Sequence, residues 1–300
     1  AVVAGHSLGE LSALHAAGGF DERTLMQLAA TRGGLMAAAD LPGAMASLAC
    51  GRAEADRLIA EVSGYSTIAN LNAPKQTVIS GDVDAVERIV DLAKAQSIAA
   101  VRLQVSGAFH SAHFREAASS LREADGVPEI SDPLHTVMLS GIDAAPMRTG
   151  VSVRDYLSRQ MCLEVDFVSL ARSMADRCDL LLEAGPGRVL SGLVKGTVGH
   201  DRMHCVPVES RPGKDEDLNL AVAALFAHGQ RLRLDALYDS RLRRPFVPAS
   251  ARRFIENPCE RPFPEVDAPA TATVTSEPPE RAFTLIPPPP ASIGDEPEMP

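Results

Sequence analysis

Ala1-Val2-Val3-Ala4-Gly5-His6-Ser7-Leu8-Gly9-Glu10-Leu11-Ser12-Ala13-Leu14-His15-Ala16-Ala17 is the stretch that decides the fold. Its first four residues are apolar and suit a buried strand, and residues 10–17 form a helical pattern. Gly-X-Ser-X-Gly lies between them. Strand, Gly-X-Ser-X-Gly, helix is the order of a nucleophile elbow, a sharp turn that holds a serine in a strained conformation with its hydroxyl presented. Both Gly5 and Gly9 are expected to be required, because a Cβ on either flank would crowd so tight a turn. The first amides of the following helix can then meet a developing oxyanion, helped by the helix dipole. A plain strand-to-helix turn with an N-cap serine uses the same string. An elbow strand normally lies inside a parallel sheet, so the sequence reads as a piece of a longer polypeptide cut just before a central strand. At least one edge of the sheet is then expected to be missing.

The whole chain bounds the function classes. Three hundred residues suffice for one large domain or two smaller ones. A net charge of −10 repels nucleic acid, and 4% aromatics with no Trp weakens the case for stacking platforms for bases or sugars. No apolar run approaches the ~20 residues of a membrane helix, so neither nucleic acid nor membrane is expected as a partner. The cysteines, Cys50, Cys162, Cys178, Cys205 and Cys259, are odd in number and scattered without a CxxC pair. Neither a metal site nor a disulfide framework is indicated, and a reducing cytoplasm is the expected compartment.

Outward from the elbow, residues 1–42 read as strand, helix, loop, helix, with Asp21 able to cap the second helix. The texture changes at 43. A strand at 44–49, a helix at 53–61, strands at 67–71 and 76–80 joined by a turn at Asn72-Ala73-Pro74-Lys75, a helix at 82–94 and an alternating strand from 99 to 105 give the order β-α-β-β-α-β. That is the split-βαβ, ferredoxin-like arrangement, read here as an insertion over 43–107. The α/β texture returns over 108–213. It predicts helices near 113–123, 152–160, 166–176 and from 189, with strands at 136–140, 180–183 and 206–208. Residues 214–261 begin with a helix at 215–229, and the stretch 230–258 is basic and irregular. Residues 262–300 are Pro-rich and acidic and read as a disordered linker. The expected fold class is α/β: an α/β-hydrolase-like parallel sheet core, its first strands missing, with an inserted ferredoxin-like subdomain.

A serine nucleophile needs a base. His6 neighbours Ser7 but should point away from it. His15 lies two turns along the elbow helix, and His135, His200, His204 and His228 have no distinctive setting. The candidate with the best position is His110, in Val105-Ser106-Gly107-Ala108-Phe109-His110-Ser111, where the insertion re-enters the main domain ahead of a helix. His113 competes locally, and position alone does not separate a catalytic histidine from a solvated loop histidine.

Five ordered stretches carry a family resemblance: Gly5-His6-Ser7-Leu8-Gly9-Glu10; Arg32-Gly33-Gly34-Leu35-Met36; Asn72 through Gly81; Gly107 through Ser111; and Glu183-Ala184-Gly185-Pro186-Gly187-Arg188-Val189-Leu190-Ser191-Gly192-Leu193. Together they resemble the malonyl-CoA:acyl-carrier-protein transacylases and the acyltransferase domains of type I polyketide and polyunsaturated fatty acid synthases, over about residues 1–210. The resemblance implies that Ser7 is the acylated nucleophile and His110 its general base and later acid, held by a carbonyl rather than by an Asp. It implies that Arg32 binds the free carboxylate of a malonyl group, for which a planar guanidinium fork suits. It further implies that Gln160 orients the histidine and lines the site, that the Leu8 amide is one oxyanion donor, and that Phe109 crowds a methyl at the α-carbon and so favours malonyl over methylmalonyl. The implied cycle is ping-pong, with malonyl-CoA as substrate, no cofactor or metal, and the phosphopantetheine thiol of an acyl carrier protein as acceptor. A ketosynthase and other domains of one synthase are the implied neighbours, and 214–261 resembles the linker that follows such acyltransferase domains. The family's second oxyanion donor lies on a segment that precedes residue 1, so the chain alone is expected to be unstable or weakly active. Two other classes share the elbow: an α/β-hydrolase-type thioesterase or esterase, which would need an acidic triad member, and a non-catalytic module of a megasynthase.

Overall fold

The elbow begins on β1 (Val2–Ala4) and runs into α1 (Gly9–Ala16) and α2 (Glu22–Ala38). Asp21 caps α2 as its side-chain chemistry predicts, accepting the Thr24 N–H at 2.8 Å. A computed structural model describes residues 1–39, 42–128, 134–147, 152–213 and 215–238. The Pro-rich stretch 262–300 and nearly all of 230–258 beyond Tyr238 lie outside the described residues. After α2 come β2 (Ala44–Leu48), α3 (Arg52–Ala60), β3 (Ser66–Ala73), β4 (Gln76–Gly81), α4 (Val83–Ala95) and β5 (Ala100–Arg102). A 3-10 turn at Ala112–Phe114 leads into α5 (Arg115–Glu123) and β6 (Val137–Leu139). The chain continues through α6 (Val153–Cys162), β7 (Val165–Asp166), α7 (Phe167–Ala175), β8 (Leu180–Pro186), α8 (Val189–Val198), β9 (His204–Glu209) and α9 (Glu216–Ala227). No described helix is long and apolar enough to cross a membrane.

The architecture is mixed α/β. β1 pairs with β6 in parallel, with Val2 opposite Val137 and Ala4 opposite Leu139, and β8 pairs with β9 in parallel. The expected parallel sheet therefore takes the form of two two-stranded pairs among the described residues. Both pairs bury their apolar sides in one cluster: Val2, Ala4, Leu139 and Leu181 pack with Phe167, Leu170 and Leu193. The segment between the two parts of this core forms an antiparallel sheet in the order β5-β2-β4-β3. One face is covered by α3 and α4 through Leu58, Val86 and Ile89 against Leu48 and Ile79. Burying those side chains removes the apolar area that drives this subunit of the fold together, at roughly 25 cal/mol per Å².

Three local readings change. β5 stops at Arg102 rather than running to Val105. Leu103 still donates to the Met45 carbonyl at 2.8 Å, but the Val105 amide turns back to the Leu103 carbonyl at 3.1 Å, which ends the ladder. The turn after β3 is only Pro74-Lys75, because the strand keeps Asn72 and Ala73 and pairs Ala73 with Gln76. β7, two residues long, is too short to show a period. It adds in parallel to β3 through Asn70–Val165 and Leu71–Asp166 and so ties the inserted sheet to the segment after α6.

The glycines of the elbow are not equivalent. A Cβ on Gly5 would stand 2.1 Å from the Gly9 carbonyl carbon and 2.3 Å from the Glu10 nitrogen, whereas one on Gly9 would meet nothing within 4 Å. Only Gly5 is required sterically, because α1 leaves the turn across its face and leaves Gly9 open. Gly5→Ala is expected to cost about 3 kcal/mol, as overpacking against immobile backbone does. Gly9→Ala should stay within about 1 kcal/mol of the parent. Urea unfolding midpoints of the two variants measure the difference; equal losses would contradict it.

Candidate active site

Ser7 sits at the tip of the elbow with φ +52°, a left-handed conformation that a side chain adopts at a cost of about 1–3 kcal/mol. The turn is held by Gly9 N–H to the His6 carbonyl at 2.9 Å and Glu10 N–H to the Ser7 carbonyl at 3.1 Å. The strain presents the hydroxyl to His110, and Ser7 Oγ lies 2.7 Å from His110 Nε2. His110 is also in the left-handed region, at φ +57°. Two residues 103 positions apart thus meet through two strained turns, the arrangement in which backbone strain accompanies function.

The environment of His110 decides its tautomer. Nδ1 lies 3.0 Å from both the Gln160 and Leu163 carbonyls, which can only accept. Nδ1–H therefore donates to them, and the Nε2 lone pair faces the Ser7 hydroxyl. His110 is 4% exposed. Burial, with the positive Arg32 acting in the same direction, lowers its pKa to about 4. It is a neutral base at ordinary pH, held by carbonyls at the end of α6 where a hydrolase triad would place a carboxylate.

Gln160 organises the rest of the pocket. Its Nε2 donates to the Ser7 carbonyl at 3.0 Å and to Glu10 Oε1 at 3.3 Å, while its Oε1 accepts from Arg32 Nη2 at 3.3 Å. A carbonyl and a carboxylate on one side and a pure donor on the other permit one amide orientation. It is the backbone carbonyl of Gln160, not its side chain, that orients His110. Arg32 is buried, and its Nε has no protein partner among the described residues. Burial lowers its pKa and the charge of Glu10 raises it. An arginine placed this way keeps its charge and has donors free for an anion.

Leu8 leads into α1 and is 53% exposed. No described protein acceptor takes its amide proton, since the neighbouring turn amides serve His6 and Ser7. Phe109 stacks on Phe114 at 5.3 Å between centroids and packs against the Met45, Ala69 and Val78 cluster of the inserted sheet. His6 turns away from Ser7: its Nε2 bonds Asn72 Oδ1 at 2.8 Å, and its ring lies 5.5 Å from that of Phe167. Burial lowers its pKa. His113 faces Asp82, 3.0 Å away, and lies off the Ser7–His110 pair.

Sequence reasoning passed over Glu10, Tyr156 and the pairing role of Asn72. Tyr156 precedes Gln160 by one turn of α6, a spacing that puts both on one helix face, and Glu10 closes the elbow string itself. The Glu183 carboxylate, in another of the quoted stretches, accepts the Leu190 and Ser191 amides at 2.9 and 2.8 Å. The start of α8 is thereby capped from within the chain.

Comparison with known proteins follows the same lines. The acyl transferase domain family model matches residues 1–228. A malonyl CoA-acyl carrier protein transacylase of Synechocystis is 38% identical over 198 residues, covering 65% of this chain and 66% of that protein. The acyltransferase domain from the second module of the salinomycin polyketide synthase superposes with a TM-score of 0.71 at 28% identity, covering 80% of this chain and 56% of the other. A type II polyketide-synthase malonyl-transacylase, solved in complex with its acyl-carrier protein, gives a TM-score of 0.67 at 32% identity over 74% of this chain and 72% of the other. The chain thus spans about two thirds of the length of the curated transacylase it matches.

Proposed function

Because the chain belongs to the acyl transferase domain family, we propose that it transfers a malonyl group from malonyl-CoA to the phosphopantetheine thiol of an acyl carrier protein. The observation that carries this reading is the 2.7 Å contact between a strained Ser7 and a buried neutral His110, with the buried Arg32 joined to both through Gln160.

Mechanism follows from those positions. His110 Nε2 takes the Ser7 proton as Oγ attacks the thioester carbonyl. The Leu8 amide donates to the oxyanion at the start of α1. The C–S bond breaks, the proton on Nε2 passes to the leaving thiolate, and CoA departs as a thiol, leaving malonyl on Ser7. The carrier thiol then gives its proton to Nε2 and attacks the ester, and Ser7 regains that proton as the C–O bond breaks. Only proton transfers and acyl exchange occur, and Ser7 and His110 supply both. Arg32 holds the malonyl carboxylate throughout. Phe109, fixed against Phe114, narrows the space beside the α-carbon and favours malonyl over methylmalonyl. The strand order β5-β2-β4-β3 supports reading 43–107 as a ferredoxin-like insertion whose Asn72 steadies the elbow through His6. Neighbouring synthase domains and a cytoplasmic setting complete the reading. A thioesterase is disfavoured because carbonyls occupy the place of the third triad member.

Arg32→Ala tests the substrate assignment. Losing one partner of a buried charge pair costs about 3 kcal/mol, about a hundredfold. The ratio of kcat/KM for malonyl-CoA to that for acetyl-CoA should fall by that factor. An unchanged ratio would refute the role of Arg32.

A further inference from the structure

Glu10 is 0% exposed, yet it is a carboxyl group. Its Oε2 accepts from the Tyr156 hydroxyl and from the Gly141 amide at 3.3 Å, and its Oε1 accepts from Gln160 Nε2. The chemistry derived above does not use it. The ionisable groups that face it are Tyr156 on α6 and Arg32 on α2; the loop after β6 offers it only the Gly141 amide. Close to Arg32, His110 is neutral.

Without substrate, Arg32 and an ionised Glu10 balance within one buried network. A malonyl carboxylate on Arg32 adds a second negative charge to the same arginine. Buried charge without a counter-charge is costly, and proteins relieve it by neutralising a group. We propose that Glu10 is a positioning residue that sets acyl specificity by taking up a proton from solvent when a carboxylate-bearing acyl group docks on Arg32, leaving Arg32 paired to the substrate. The proposal rests on the malonyl-transfer reading. A cavity of about 220 Å³ is lined by Ser140, Tyr156 and Arg159, and Tyr156 is the residue whose hydroxyl bonds Glu10. The carboxyl is poised for proton uptake, because burial raises its pKa to about 7 against the hydrogen bonds from Tyr156, Gly141 and Gln160. Gln160 remains clamped in either state, since a protonated Glu10 keeps an acceptor oxygen for its Nε2.

Linkage gives the sign. If substrate raises the pKa of Glu10, binding strengthens on protonation, so KM for malonyl-CoA should climb above pH 7, approaching tenfold per unit. Acetyl-CoA carries no such carboxylate, and its KM should not climb in this way.

The test uses the full chain carrying Ser7→Ala, which can bind malonyl-CoA without acylation. Calorimetric titration at pH 7.5 in buffers of different ionisation enthalpy counts the protons taken up. A net uptake of up to one proton per malonyl-CoA is expected in Ser7→Ala, and none in Ser7→Ala/Glu10→Gln, which retains His110. Ser7→Ala/Tyr156→Phe removes a bond that favours the carboxylate, so the uptake at pH 7.5 should fall below that of Ser7→Ala. Binding without uptake in Ser7→Ala, or equal uptake with and without Glu10, would overturn the proposal while leaving malonyl transfer standing. Failure of wild-type protein to acylate, together with failure of Ser7→Ala to bind malonyl-CoA, would overturn both.

Discussion

Ser7→Ala is expected to abolish acyl-enzyme formation, with malonyl transfer falling on the order of 10⁶-fold, the cost of losing the nucleophile in enzymes of this chemistry. The reason is local. The only oxygen that the elbow presents to His110 Nε2 is Ser7 Oγ, 2.7 Å away. The fold should survive, because the replacement keeps the Gly5 approach and both turn hydrogen bonds, which are made by backbone. Circular dichroism and urea unfolding should therefore match the parent, and the left-handed φ of Ser7 makes alanine no less strained than serine there. Residual transfer within tenfold of wild type would mean that another group attacks the thioester.

His110→Ala is expected to lower transfer by about 10⁴-fold, the upper range for a general base on which the nucleophile depends. Its pH signature has a definite sign. Burial holds the folded pKa near 4, below the ordinary value of 6.5. The base is thus neutral above about pH 5, and His110 imposes no loss of rate between pH 8 and 5. Stability behaves differently. Between pH 6.5 and 4 the unfolded chain binds a proton at His110 that the folded chain refuses, so stability falls as pH falls, by up to roughly 3 kcal/mol. Glu10 acts in the opposite sense: its raised pKa favours the protonated folded form, so its contribution is lost as pH rises from about 4.5 to 7. Removing His110 should expose the Glu10 slope, seen as a stability that declines from pH 5 to 7. An unchanged acid profile in His110→Ala would contradict the burial argument.

The elbow, the order of elements and the capping of α2 were legible because each rests on local chemistry: a small-residue turn, an amphipathic period, an Asp before a helix. The meeting of Ser7 with His110 was legible only through resemblance, since no spacing rule joins residues across an inserted sheet. The requirement for both elbow glycines was read too symmetrically, because the path of α1 out of the turn decides which flank is crowded. Gln160 beside His110, and a carbonyl as the group that holds the ring, were legible only through the resemblance, because backbone carbonyls have no sequence signature; in the structure the Gln160 carbonyl is one of the two that accept from Nδ1. Glu10 and Tyr156 escaped notice because a buried acid is recognisable only once its hydrogen-bond partners are gathered from α1, α6 and the loop after β6. Among the described residues the parallel strands of the core divide into two pairs, β1 with β6 and β8 with β9, through long-range pairing that periodicity does not encode.

The most direct measurement is intact-mass spectrometry with peptide mapping of the chain after incubation with malonyl-CoA, followed by addition of a phosphopantetheinylated carrier protein. The account predicts one malonyl group on the peptide containing Ser7, absent in Ser7→Ala, and its transfer to the carrier thiol faster than its release as free malonate. No adduct at Ser7, or an adduct that hydrolyses without reaching the carrier, would contradict it.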